Sequence, residues 1–112
     1  MVFDTAAVFK GKCLNDACIT GPVLINDLPN VLIKFREGAL EFSADIEAML
    51  SRVRMNAEDS RLHGFLWKDS GSKEIVTYRI NRITFGDRCS PFVAIFATIK
   101  TAETSERVKK KP

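Results

Sequence analysis

LHGFLWKDSGSKEIVTYRINRIT, residues 62–84, decides the fold class. Phe65-Leu66-Trp67 stands on one side of it, and on the other Val76, Tyr78 and Ile80 alternate with Thr77, Arg79 and Asn81. A period of two sends successive side chains to opposite faces, which is the pattern of a strand. The intervening KDSGSKE, residues 68–74, is rich in turn formers. The spacing therefore predicts a hairpin with strands over 62–67 and 75–84 and a buried antiparallel pair. Phe65, Leu66, Trp67, Tyr78 and Ile80 read as the apolar core of that hairpin rather than as base-stacking aromatics.

Downstream, Ser90-Pro91 combines a preferred N-cap residue with proline at the first helical position, and Phe92, Ile95, Phe96 and Ile99 follow at helical spacing. Upstream, Leu28, Val31, Leu32 and Phe35 recur at i, i+3, i+4 and i+7, which predicts a helix that ends at Gly38. Between them Leu40, Phe42, Ala44 and Ile46 alternate with Glu41, Ser43, Asp45 and Glu47. That alternation predicts a strand with one buried and one polar face. Residues 1–4 read as the end of a strand and 10–22 as a loop, from their Gly, Asn, Asp and Pro content. Helix, strand, hairpin and helix in this order make an α+β domain, because the strands cluster instead of alternating with helices.

The 112 residues are 46% hydrophobic and 28% charged, enough apolar surface for one small core and too little chain for a second domain. Seventeen basic against fourteen acidic residues leave a net charge of +3, of which two units come from residues 103–112. The body is close to neutral, so bulk charge does not argue for nucleic-acid binding. The basic end, residues 104–112, reads as a disordered tail that either contacts phosphate or is a solvated terminus. No apolar run approaches the ~20 residues a bilayer helix needs. The Met1 end lacks a basic segment followed by an apolar one. The expected compartment is intracellular, cytoplasmic or nuclear, and no membrane partner is expected. A zinc site would have to gather His63, Cys13, Cys18 and Cys89 from unrelated segments, so these cysteines read as reduced thiols.

Two places could carry chemistry. Asp45, with Glu47 two residues on, lies on the polar face of the predicted strand near its end, where carboxylates and backbone carbonyls can hold Mg²⁺ if further oxygens complete the shell. The same pattern also fits a merely wet strand face. FGDRCSP, residues 85–91, is a tight loop opening a helix, and such a start attracts anions through its free N–H groups. A single glycine makes a poor phosphate cradle, so a simple capped helix fits equally.

Read together, the segments VFD (2–4), LNDACITGP (14–22), VLIKFREG (31–38), FSADIEAML (42–50), AEDSRLHGFLWKD (57–69) and YRINRITFGDRCSPFVAIFATIKTAE (78–103) resemble, in order, the reverse transcriptase region of long-terminal-repeat retrotransposon polyproteins, most closely the BEL/Pao type. The resemblance implies a partial polymerase palm with some of the fingers over 1–103, its antiparallel strands and hairpin packed on two helices. It implies that Asp45 is the first catalytic aspartate, that the Ile46 carbonyl is a further metal ligand, and that Mg²⁺ is the cofactor. Leu50 then takes the place of the family's bulky aromatic under the nucleotide sugar, a departure that bears on sugar discrimination. Phe85, Gly86 and Ser90 line the nucleotide and template side, with Arg88 as a phosphate contact. Core packing remains the alternative for Phe85, and Arg79 and Arg82 are either phosphate contacts or edge charges.

The family's Tyr-x-Asp-Asp hairpin does not occur in the sequence, and no Asp-Asp pair is present. The expectation is a fragment truncated before that hairpin, whose intact form binds an RNA or DNA template-primer and deoxynucleoside triphosphates. It would be inactive alone and prone to self-associate through an exposed edge. After Glu103 the pattern gives way to SERVKKKP. The competing expectation is a non-catalytic nucleic-acid-binding or remnant α+β module, bound to nucleic acid mainly through the basic tail.

Overall fold

In the computed structural model, which describes residues 3–105, helix α1 spans Leu28–Phe35 and the short α2 spans Met49–Arg52. Strands β1 (Gly64–Trp67) and β2 (Val76–Arg79) follow, then α3 (Ser90–Thr104), with 3₁₀ turns at Leu14–Asp16 and Asp59–Leu62. The chain is thus a small α+β fold with a two-stranded antiparallel sheet and three α-helices among the described residues. None of these helices is long and apolar enough to cross a membrane. Of the expected basic tail, Thr104 closes α3 and Ser105 is its C-cap, while 106–112 lie outside the described residues.

Helix α1 starts where its sequence says it should. The Asp27 carboxylate accepts the Asn30 N–H at 3.4 Å and Pro29 sits in the first turn, where its missing N–H has no intrahelical partner to lose. No residue of α1 is buried, however. In α3 the expected N-cap is displaced by one position: Cys89 is the cap residue and Ser90 the first helical one. The Ser90 hydroxyl, instead of capping the helix, donates to the Thr84 carbonyl at 2.6 Å. Phe92 and Phe96 stack one turn apart at 5.8 Å, as their spacing requires.

The hairpin forms in the expected place but is shorter and barer than its alternation suggests. Phe65 stands opposite Tyr78, and the two rings stack at 5.6 Å. Every other strand residue is exposed, including all of β2, so the buried pair packed on two helices is not formed. The reason is that the second half of the alternating run pairs elsewhere. The Met55 N–H donates to the Asn81 carbonyl at 3.0 Å and the Ile83 N–H to the Val53 carbonyl at 3.2 Å, so residues 53–55 hold 81–83. Helix α2 packs on α3 rather than on the hairpin.

The strand expected over 40–47 is absent: residues 41–46 carry no regular structure, and Leu40 and Phe42 are 94% and 88% exposed. Alternation places side chains, but a strand also needs a neighbour for its N–H and C=O groups. None of the described residues offers one here. The expected strand end at Phe3 and Asp4 is likewise irregular.

Among the described residues only Ile83 and Ala94 are buried apolar ones, whereas Thr5, Asn15, Ser60, Thr84, Asp87 and Ser90 are buried polar ones. The centre is therefore held by hydrogen bonds more than by apolar packing. Asn15 supplies the longest-range of them: its Nδ2 donates to the Gly86 carbonyl at 3.0 Å and its Oδ1 accepts the Arg88 N–H at 2.8 Å. Asn15→Ala, which orphans both backbone groups, is expected to lower the unfolding free energy by about 1–3 kcal/mol in urea titrations. Glu58→Ala, which removes only an exposed ion pair with Arg61, should change it by less than about 1 kcal/mol.

Candidate functional site

The loop from Thr84 to Ser90 is built around one carboxylate. Asp87 Oδ2 accepts the Thr84 hydroxyl at 2.8 Å and lies 2.9 Å from His63 Nε2, with the Asp87 and His63 side chains 2% and 8% exposed. The backbone of the same residue accepts the Ser90 N–H at 3.1 Å and so turns the chain into α3. The other ring nitrogen, His63 Nδ1, stands 3.3 Å from the Asp59 carbonyl, so both partners of this imidazole are acceptors. Two buried oxygens, Asp87 Oδ1 and Thr5 Oγ1, have no protein partner.

Gly86 makes the tight approach possible. Its φ is +95°, and a Cβ there would stand 3.2 Å from both the Phe3 carbonyl and the Thr5 hydroxyl. Asn15, held by its own N–H donating to the Thr5 carbonyl at 3.1 Å, then fastens the loop from outside.

Against this loop α2 sets Met49 and Leu50, and with Phe85, Gly86, Ser90 and Ile95 they surround a groove of about 340 Å³ that Asp87, Pro91 and Ala94 complete. Four of the residues singled out in the sequence, Leu50, Phe85, Gly86 and Ser90, thus meet in one place. Phe85 is 73% exposed and stands in the wall of this groove rather than in the core.

The remaining three do not line this groove. Asp45 is exposed on the irregular segment before α2, and Ile46 borders a second groove between α2 and α3, with Met49 as the wall shared by both. The Arg88 N–H is taken by Asn15, and the residue is exposed outside the lining of this groove. Arg82 donates to the Arg52 carbonyl at 3.1 Å. No three His, Cys, Asp or Glu side chains converge on a metal-sized point among the described residues. Asp45 and the Ile46 carbonyl are two donors, and a Mg²⁺ shell takes six, so this donor set does not hold the ion unaided.

Two groups in the neighbouring turn have displaced protonation. The Asp16 carboxyl lies below its ordinary range because it accepts the Cys13 N–H at 2.9 Å and then the Cys13 side chain. The Cys18 thiol is pushed up, first by burial and then by the adjacent Cys89. The sequence offered no sign of the His63–Asp87 contact. The two residues are 24 positions apart, and no spacing rule connects a 3₁₀ turn to a helix-opening loop. Family models, curated proteins and solved structures were all compared with the chain, and none matches it.

Removing the central carboxylate strands two buried donors. Asp87→Ala is expected to lower the unfolding free energy by about 2–4 kcal/mol, and Gly86→Ala by about 1–3 kcal/mol through its left-handed backbone, both read from urea midpoints. Because the folded Asp16 is the stronger acid, its stabilisation is present above the ordinary carboxylate range and disappears as pH falls through its lowered value. Asp16→Asn should therefore flatten the acid limb of a stability-against-pH curve and leave the curve's shape above about pH 6 unchanged.

Proposed function

We propose that the chain is the central part of a reverse transcriptase palm, with part of the fingers, from a retrotransposon polyprotein of the BEL/Pao type. The observation that carries this reading is the groove itself. Leu50 and the Phe85–Ser90 loop are 35 residues apart, and the positions that the resemblance assigns to the nucleotide and template side share its walls. In an RNA-directed DNA polymerase such a groove holds the incoming deoxynucleoside triphosphate against the template. Phe85 and Leu50 offer apolar surface to base and sugar, and Gly86 lets the loop that carries Phe85 pack tightly on Phe3 and Thr5. Leu50 presents a smaller face than an aromatic ring, so exclusion of a ribose 2′-hydroxyl is weaker.

Asp45 stands exposed five residues before Leu50, on the irregular segment that leads into α2. When bound, paired Mg²⁺ ions would align and charge-stabilise the attacking and leaving oxygens of phosphoryl transfer. Asp45 and the Ile46 carbonyl are this chain's contribution to such a site. The remaining carboxylates belong to a Tyr-x-Asp-Asp hairpin that these 112 residues do not contain, so the chain alone is inactive.

Primer extension tests the reading directly. The 112-residue chain should show no extension above a protein-free blank. A version continued through an in-frame Tyr-x-Asp-Asp hairpin should extend a primer, and Asp45→Asn in that version should slow it by about 10³-fold or more. Extension by the short chain, or near-normal turnover by the Asp45→Asn version, would overturn the proposal.

A further inference from the structure

Two of the three cysteines are brought together by contacts in which neither takes part. The segment that follows the 3₁₀ turn at Leu14–Asp16 is fastened to the start of α3 on both sides of Cys18. On one side Asn15 holds the Gly86 carbonyl at 3.0 Å and the Arg88 N–H at 2.8 Å. On the other side Gly21, with φ at +76°, lies so close to α3 that a Cβ there would stand 2.5 Å from Phe92 Cγ. Cys18 is midway between Asn15 and Gly21, and Cys89 lies between Arg88 and Phe92. Clamps on either side of both residues set Cys18 against Cys89.

The side chains agree with the backbone. Both thiols are free and half-buried. Cys89 is the cap residue of α3, yet its side chain makes no capping bond, so the helix does not engage its sulfur. After burial itself, what most opposes ionisation of the Cys18 thiol is Cys89, whose side chain is within hydrogen-bonding reach of it. The third cysteine is occupied elsewhere. Cys13 precedes the 3₁₀ turn, and its N–H donates to the Asp16 carboxylate at 2.9 Å.

We propose that Cys18 and Cys89 are a reversible disulfide site, reduced in this structure and closed by exchange with a low-molecular-weight disulfide such as oxidised glutathione. One thiolate attacks a sulfur of the oxidant, forming a mixed disulfide and expelling the first small thiolate. The other, its proton lost to solvent, attacks the protein-side sulfur of that bond and expels the second. The protein gives up two protons and two electrons, and the oxidant leaves as two thiols. Closure joins the segment around Cys18 covalently to the start of α3, beside the loop that walls the Leu50 groove, where Asn15 alone supplies the side-chain hydrogen bonds. The site stands or falls separately from the polymerase reading.

The test equilibrates the full 112-residue chain with mixtures of reduced and oxidised glutathione, quenches with acid, and reads intact mass and free thiols. The expected product is a single chain about 2 Da lighter, with one free thiol in place of three. Cys13 and Cys18 share a tryptic peptide, so the bond is mapped in Cys13→Ser, which should close as readily and link the Cys18 peptide to the Cys89 peptide. Cys18→Ser and Cys89→Ser should each close at least about tenfold less readily. In concentrated guanidinium chloride, where the clamps are gone, half-oxidation of Cys13→Ser should need a glutathione mixture at least about tenfold more oxidising. Three free thiols at every ratio, bonds that join two chains or use Cys13, or a midpoint that denaturant leaves unchanged would each overturn the site.

Discussion

One buried carboxylate organises the body of this protein. Asp87 collects the Thr84 hydroxyl and the His63 ring on a single oxygen, and its backbone starts α3, so the His63 turn meets the loop that opens α3 at one residue. With only Ile83 and Ala94 buried among the described apolar residues, there is little hydrophobic burial to hold those segments together otherwise. A buried charge costs free energy unless it is paired and hydrogen-bonded, and here the pairing is also the join. The loop that makes the groove wall is therefore held in place by hydrogen bonds.

That arrangement explains why some of the fold could be read from the sequence and some could not. Local rules sufficed for α1 and α3, whose apolar spacing and flanking Asp27, Pro29 and Pro91 act within a turn or two of chain. They also located the hairpin, where Phe65 faces Tyr78. They failed where a second segment decides the outcome. Residues 40–47 have a strand's alternation and no strand beside them, and residues 81–83 leave the hairpin to pair with 53–55. The displacement of the α3 cap has the same cause. Ser90 has a better partner in the Thr84 carbonyl, across the loop, than in the helix it begins.

The candidate site divides along the same line. Leu50, Phe85, Gly86 and Ser90 were singled out as words in a collinear pattern, and they share a groove because α2, which no periodicity announced, lifts Leu50 against the 85–90 loop. Ala48, with φ at +52°, sets the direction of that short helix, and Arg52 closes it by donating to the Glu47 carbonyl at 2.8 Å. Asn15, His63 and Asp87 position the loop yet carry no motif of their own. Their roles arise from contacts over 71, 73 and 24 residues of sequence.

The polar centre and the bare α1 are two sides of one constraint. A chain that is 46% hydrophobic and buries two apolar residues among those described has left most of its apolar surface without a place to go. Exposed large apolar residues run from Val8 to Ile99, with several in α1 and its flanks. Helix α1 is marginal by length, since eight residues fall short of what an isolated helix needs in water, and its cap and stripe gain full value only when the stripe is covered. Its sequence is that of a helix meant to be packed, so whatever covers it also completes its folding.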